Sequence, residues 1–209
     1  MPLKEATVAV LGATGAVGEQ ILRNLEKRSF PVKELRPLAS ARSAGKTVRF
    51  KGEAVTVQEA KPEAFEGVDI ALFSAGGGIS EKFAPEAVKR GAVVIDNTNA
   101  FRMNPDVPLI VPEVNGDQIK NHQGIIANPN CSTIQMVVAL KPLYDRYGFD
   151  RVIVSTYQAV SGSGAQAMEE LSEQTRASLE NREVKKESMP VGKLDKHYQI
   201  AFNTLPQCD

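Results

Sequence analysis

The run Thr7-Val8-Ala9-Val10-Leu11 is short, apolar and β-prone, and it leads directly into Gly12-Ala13-Thr14-Gly15-Ala16-Val17-Gly18 and a helical pattern carried by Val17, Ile21, Leu22 and Leu25. A strand with no polar alternation is buried on both faces, and the only economical cover for such a strand is a helix that returns over it. Strand, glycine turn and helix in immediate succession therefore restrict the chain to an α/β architecture. Similar runs recur at Ile70-Ala71-Leu72-Phe73, Ala92-Val93-Val94-Ile95, Leu109-Ile110-Val111 and Gly124-Ile125-Ile126-Ala127. Between them Ser80 is placed to cap a helix through about Arg90, with Gly91 ending it. Residues 1–130 are thus expected to form one doubly wound parallel sheet, a normal size for a domain.

A long helix is expected after Cys131, kinked or ended near Pro142, and Arg151-Val152-Ile153-Val154-Ser155-Thr156-Tyr157 is expected to start a new strand. That change of pattern marks a second domain, 131–209. In it the turn Ser161-Gly162-Ser163-Gly164 leads into a helix from Ala165 to about Leu179, followed by a charged, solvated stretch at 180–188. The sequence stops just after a short apolar, strand-like piece, with no closing helix. The expectation is a truncated second domain.

With 209 residues and 42% hydrophobic content the chain can bury a substantial core. Lys plus Arg balances Asp plus Glu at 25 each, so no overall field draws it to nucleic acid or an anionic membrane, and an anionic partner must be held by a local site. No signal-peptide pattern opens the chain, and no apolar run approaches the roughly 20 residues of a membrane span. Cys131 and Cys208 are too few for a disulfide framework, and no Cys/His cluster has metal-ligand spacing. A cytoplasmic protein without a metal is expected.

Glycines 12, 15 and 18 follow a strand and open a helix, where a backbone free of side chains lets a pyrophosphate approach the N–H groups of the helix start. The spacing is G-x-x-G-x-x-G, not the G-x-G-x-x-G of the dinucleotide fingerprint, and the alternative is a turn that merely packs a helix on a strand. The second strand should lie near Glu34-Leu35-Arg36-Pro37-Leu38-Ala39. Where an NAD site ends this strand with a carboxylate, the chain has Ser40-Ala41-Arg42-Ser43, which suits a 2′-phosphate, so NADP is the better expectation. Arg42 could instead be a plain surface cation.

In Asn128-Pro129-Asn130-Cys131-Ser132-Thr133-Ile134-Gln135 a cysteine stands where an irregular turn becomes a helix. Unpaired N–H groups and the positive end of the helix dipole stabilise a thiolate there, which makes a nucleophile; the alternative is a small buried apolar residue.

Six segments in register carry a resemblance to the aspartate-β-semialdehyde dehydrogenase family. They are the glycine turn at 12–18, Ser40-Ala41-Arg42-Ser43-Ala44-Gly45-Lys46, Asp96-Asn97-Thr98-Asn99-Ala100-Phe101-Arg102, Val111-Pro112-Glu113-Val114-Asn115, Asn128-Pro129-Asn130-Cys131-Ser132-Thr133 and Tyr157-Gln158-Ala159-Val160-Ser161-Gly162-Ser163-Gly164. The resemblance implies a Rossmann-type NADP-binding domain followed by the start of an α+β substrate and dimerisation domain. It implies reduction of L-aspartyl-4-phosphate by NADPH to the semialdehyde, with release of phosphate, on the route to lysine, threonine and methionine, by a homodimer. Cys131 would be the nucleophile that forms an acyl-thioester, and Gln158 would position the substrate. Arg102 and Asn130 would hold the phosphate. Gly12, Thr14, Gly15, Ala16, Val17, Gly18, Arg42, Ser43, Ser161 and Gly162 would contact the cofactor.

The family's acid-base histidine, its substrate-carboxylate arginine and a further phosphate-binding lysine have no counterpart here. His122 and His197 match neither motif and are expected at the surface. The chain alone is therefore expected to turn over weakly or not at all and, with a sheet edge and apolar surface uncovered, to be poorly soluble. Two other readings stay open: N-acetyl-γ-glutamyl-phosphate reductase, which has the same chemistry, and a non-catalytic NADP-binding module. A short-chain reductase is disfavoured, because no tyrosine has a lysine four residues later.

Overall fold

The computed structural model describes residues 4–190 and 196–206. In chain order its strands and helices are β1 (Ala6–Leu11), α1 (Ala16–Lys27), β2 (Val32–Ala39), β3 (Thr47–Phe50), β4 (Glu53–Thr56), β5 (Gln58–Glu59), β6 (Ile70–Phe73), α2 (Gly77–Lys89), β7 (Val93–Asp96), α3 (Pro112–Asn115), β8 (Ile125–Ala127), α4 (Cys131–Tyr147) and α5 (Ala165–Leu179). Six strands form one sheet in the order β5-β2-β1-β6-β7-β8, every pair parallel; β3 and β4 form a separate antiparallel hairpin. The chain moves outward from β1 first on one side, to β2, and then on the other, to β6. This is the doubly wound topology expected, with its switch point at the carboxyl end of β1.

All six residues of β1 are buried. Because successive side chains of a strand point to opposite faces, β1 divides between two cores. Ala9 and Leu11 join Phe65, Phe73, Phe83, Ala84 and Val94 on the α2 side, while Val8 and Val10 join Leu22, Val48, Phe50 and Val57 on the side of α1 and the hairpin. Phe65 anchors the first core, its ring 5.7 Å from that of Phe73 and 6.1 Å from that of Phe83.

Several boundaries differ from expectation. Ser80 does not cap α2; the helix starts at Gly77 behind Gly76, whose φ of 94° favours glycine, and Ser80 is buried inside it. Residues 109–111 form no strand, only a bridge from Leu109 to Ala127, because Pro108 on one side and Pro112 at the start of α3 leave no room for a ladder. Helix α4 does not end at Pro142 but continues to Tyr147 and stops at Gly148, φ 69°. Residues 151–157 are exposed and unpaired rather than a strand, since no described segment supplies them with a ladder partner. Residues 200–202 are likewise a turn.

Compact units divide at Met1–Val154 and Ser155–Asp209, so α4 groups with the parallel sheet. The second unit consists of a 3-10 turn at 160–163, α5 and irregular chain, with no strand among its described residues. Its organiser is Gln174 of α5, almost fully buried. The amide nitrogen donates to Glu170 Oε1 (2.6 Å) and Lys185 O (2.7 Å), and the amide oxygen accepts from the N–H groups of Ile200 (2.7 Å) and Ala201 (3.1 Å).

Candidate active site

The carboxyl ends of β1, β2 and β6 meet around the glycine turn. Gly12 and Ala13 donate their N–H groups to Leu38 O of β2 at 2.9 and 3.3 Å. Gly12 has φ 90°, and a Cβ there would stand 2.5 Å from Ser74 O, just beyond β6. Gly18, on the inner face of α1, would place a Cβ 2.2 Å from Gly12 O. The glycines therefore have different tasks: Gly12 turns the chain against β6, and Gly18 lets the helix start sit on the turn. The Gly15 N-cap gives no side-chain hydrogen bond, which leaves the first N–H groups of α1, around Ala16 and Val17, to an outside acceptor. Thr14 is half-buried beside them and Val17 is exposed.

Arg42 stands on the 3-10 turn Ala41–Ser43 just past the carboxyl end of β2. It is exposed and in no ion pair among the described residues, whereas Ser43 is buried and donates its N–H to Ser40 O at 2.8 Å. The cation is thus presented at the same end of the sheet as the glycine turn.

Cys131 is the first residue of α4 and is exposed, which rules out the buried apolar alternative. The Asn130 side chain caps the helix by accepting the Ser132 N–H at 2.9 Å. No described side chain holds the Cys131 sulfur within normal hydrogen-bond reach, Ser132 Oγ lying at 4.0 Å. Half-buried Arg102 is tied to the turn before Cys131: its Nε donates to Asn128 O (2.9 Å) and its Nη2 to Asn97 O (3.1 Å). Two of five guanidinium protons are so used.

Next to Asn97, to which Arg102 is bonded, Asp96 gathers a polar cluster. Asp96, fully buried at the end of β7, accepts from Ser80 Oγ (2.8 Å), Thr98 Oγ1 (2.8 Å) and the Thr98 N–H (3.2 Å). Its signals in the sequence were a carboxylate closing an apolar run and the place of Asp96 and Thr98 in one segment of the family resemblance. Asn128 Nδ2 donates to Asn97 Oδ1 at 2.6 Å.

Gln158, Ser161 and Gly162 belong to the second unit. Gln158 is exposed, accepts from Thr156 Oγ1 at 3.1 Å and lines a shallow open depression with Val160, Leu171, Ile200 and Phe202. Ser161 and Gly162 are exposed on the 160–163 turn. His122 and His197 are half-buried rather than fully exposed; His122 Nδ1 accepts the Gly124 N–H at 3.0 Å. Among the described residues no His/Cys/Asp/Glu group could hold a metal, and no helix is long and apolar enough to cross a membrane. Cys208 lies outside the described residues.

Fold and site together define an α/β dinucleotide-binding protein with an exposed cysteine at a helix start beside the sheet. Residues 7–122 match the family model described as semialdehyde dehydrogenase, NAD binding domain, and residues 140–209 match semialdehyde dehydrogenase, dimerisation domain. The chain belongs to the semialdehyde dehydrogenase family. Its relatives include the aspartate-semialdehyde dehydrogenase of Bacillus subtilis, 63% identical over 202 residues that make up 97% of this chain and 58% of that protein. The crystal structure of aspartate semialdehyde dehydrogenase II from Vibrio cholerae complexed with ASA superposes with a TM-score of 0.92 at 50% identity, covering 99% of this chain and 60% of the other. That of aspartate semialdehyde dehydrogenase with NADP from Candida albicans gives 0.58 at 30% identity, over 69% of this chain and 48% of the other. The chain thus spans about three fifths of the length of the curated relatives it matches.

Proposed function

We propose that this chain carries the nucleophile and cofactor site for NADPH-dependent reduction of L-aspartyl-4-phosphate to L-aspartate 4-semialdehyde, with release of phosphate. The observation that carries the reading is Cys131, exposed at the start of α4, three residues after Asn128, to whose carbonyl Arg102 is bonded. The names of the relatives from Bacillus subtilis and Vibrio cholerae support the choice of substrate.

The Cys131 thiolate attacks the acyl carbon, the carbon–oxygen bond to phosphorus breaks, and phosphate leaves with the bonding pair. Arg102, with Asn130, binds the departing phosphate through its free donors, so orientation and charge stabilisation coincide. Gln158 positions the acyl group. The glycine turn suits a dinucleotide, since no side chain caps the first N–H groups of α1, and the residues to hold it are Gly12, Thr14, Gly15, Ala16, Val17 and Gly18; the family resemblance adds Ser161 and Gly162. Arg42 and Ser43 take the 2′-phosphate. When bound, NADPH supplies the hydride that a thioester accepts and a carboxylate does not. A nucleotide-binding segment at 1–130 and a substrate and dimerisation segment at 131–209 organise a homodimer in the cytoplasm; the dimerisation description of the second family model, over 140–209, supports the dimer.

The test mixes the chain with either L-aspartyl-4-phosphate or N-acetyl-γ-glutamyl phosphate and follows phosphate release, then titrates it with NADPH and NADH. Faster release from the aspartyl compound, and tighter NADPH binding that Arg42→Ala weakens, are expected. Preference for the glutamyl compound, or equal binding of both cofactors, would overturn the assignment.

A further inference from the structure

Resting on that reading of Arg102, we infer that Asn97 and Asn128 are positioning residues whose side-chain clasp aims Arg102 at the anion displaced beside Cys131. Asn128 holds three partners at once. Its N–H donates to Asp96 O at 2.8 Å, its carbonyl accepts Arg102 Nε at 2.9 Å, and its side chain donates to Asn97 Oδ1 at 2.6 Å. Asn97 is anchored in turn by donating its N–H to Phe73 O at 2.9 Å, and its own carbonyl accepts Arg102 Nη2 at 3.1 Å.

The two carbonyls that grip Arg102 therefore belong to the two residues whose amides are clasped. They come from separate loops, one leaving β7 and one leaving β8, 31 residues apart in sequence. β7 and β8 are neighbours in the sheet, but their ladder ends at Asp96 and Ala127; the Asn128 N–H to Asp96 O bond carries the pairing one residue further, and beyond it the clasp joins the two loops directly through their side chains. The guanidinium meets this clamp with Nε and one proton of Nη2. Both protons of Nη1 and the second of Nη2 have no partner among the described residues, and one proton from each nitrogen forms the end-on fork that binds an oxyanion through two parallel bonds. If the loops part, the guanidinium keeps its charge and loses its aim.

The test is alkylation of Cys131 by iodoacetamide, followed on the Cys131 peptide, in the presence of increasing inorganic phosphate. The chain is compared with Arg102→Ala, Asn97→Ala, Asn128→Ala and the Asn97→Ala/Asn128→Ala pair. Each single asparagine variant should raise the half-protecting phosphate concentration about tenfold, the loss expected for one well-placed hydrogen bond, and the pair should do no more than either single. In the asparagine variants alkylation without phosphate should stay within about twofold of the parent, which a general loosening of the fold would not allow. Unchanged protection in the asparagine variants, or effects that multiply in the pair, would overturn the clasp while loss of protection in Arg102→Ala leaves the functional reading intact. Absence of phosphate protection in the parent, or its survival in Arg102→Ala, would overturn both. Should an alanine variant fail to fold, the unaltered chain still decides: the Arg102 Nε–H, assigned by its disappearance in Arg102→Lys, should be a slowly exchanging NMR signal, and rapid exchange with solvent would refute the clamp.

Discussion

Replacing Gly18 with alanine tests whether the nucleotide turn depends on close approach of helix and strand. The added Cβ would lie 2.2 Å from Gly12 O, 2.8 Å from Ala13 Cα and 2.9 Å from Ala13 C, all backbone atoms of the turn. No side chain can swing aside, so restoring van der Waals contact requires α1 to withdraw by about 1 Å along a packed face. Overpacking of this kind costs about 1–3 kcal/mol and here falls at the upper end because the obstacle is backbone. Alanine returns about 1 kcal/mol through its better helix propensity, leaving a net loss of about 2 kcal/mol. For a chain of this size that corresponds to a fall in melting temperature of about 4–8 °C. Gly78→Ala in the first turn of α2 is the matched control, because its Cβ would meet nothing within 4 Å. It should be neutral or stabilising by up to about 1 kcal/mol. Urea titration of both variants measures the difference, and NADPH binding should be lost only in Gly18→Ala. A Gly18→Ala chain as stable as the parent would refute the argument that contact across this turn sets the position of α1.

Three further outcomes follow from buried and exposed polar groups. Asp96→Ala leaves the Ser80 hydroxyl and the Thr98 N–H without their buried acceptor and should cost about 3 kcal/mol in urea denaturation; a loss under about 1 kcal/mol would show that the cluster is not structural. Gln174→Ala frees the N–H groups of Ile200 and Ala201 and should make the second unit markedly more sensitive to limited proteolysis, with the first unit unaffected. Glu86 is held below the usual carboxylate value by hydrogen bonds from Lys89 and then Arg90. A depressed folded-state value means that its contribution to α2 is present above the unfolded value and is lost as pH falls through the folded one. NMR titration should therefore find Glu86 ionising below 4.5, and a normal midpoint would contradict the pairing.

Although β2 exposes Lys33 and Glu34, the parallel sheet was legible in the sequence because β1, β6, β7 and β8 have no exposed residue on either face, and such burial keeps a run largely apolar. The same signal misled at 109–111 and 151–157, where apolar residues lack a ladder partner; a strand is a property of a pair, and one run cannot declare its neighbour. Ser80 looked like a cap because serine favours that position, but glycine took the start of α2 and the serine hydroxyl went to Asp96. Cys131 and the glycine turn were readable as local patterns. The links Asn97 to Asn128 and Gln174 to Ile200 were not, since they join residues 31 and 26 positions apart and leave no local periodicity. Asn97 and Asn128 stood in two separate segments of the family resemblance, and only the fold brought their side chains together.

The most direct test of the proposed chemistry is peptide mass spectrometry of the chain quenched in acid after brief mixing with L-aspartyl-4-phosphate, without NADPH. The account predicts one aspartyl group on the Cys131 peptide, absent from Cys131→Ser and suppressed by excess inorganic phosphate. An unmodified Cys131, or an equal adduct in Cys131→Ser, would contradict the assignment of Cys131 as the nucleophile.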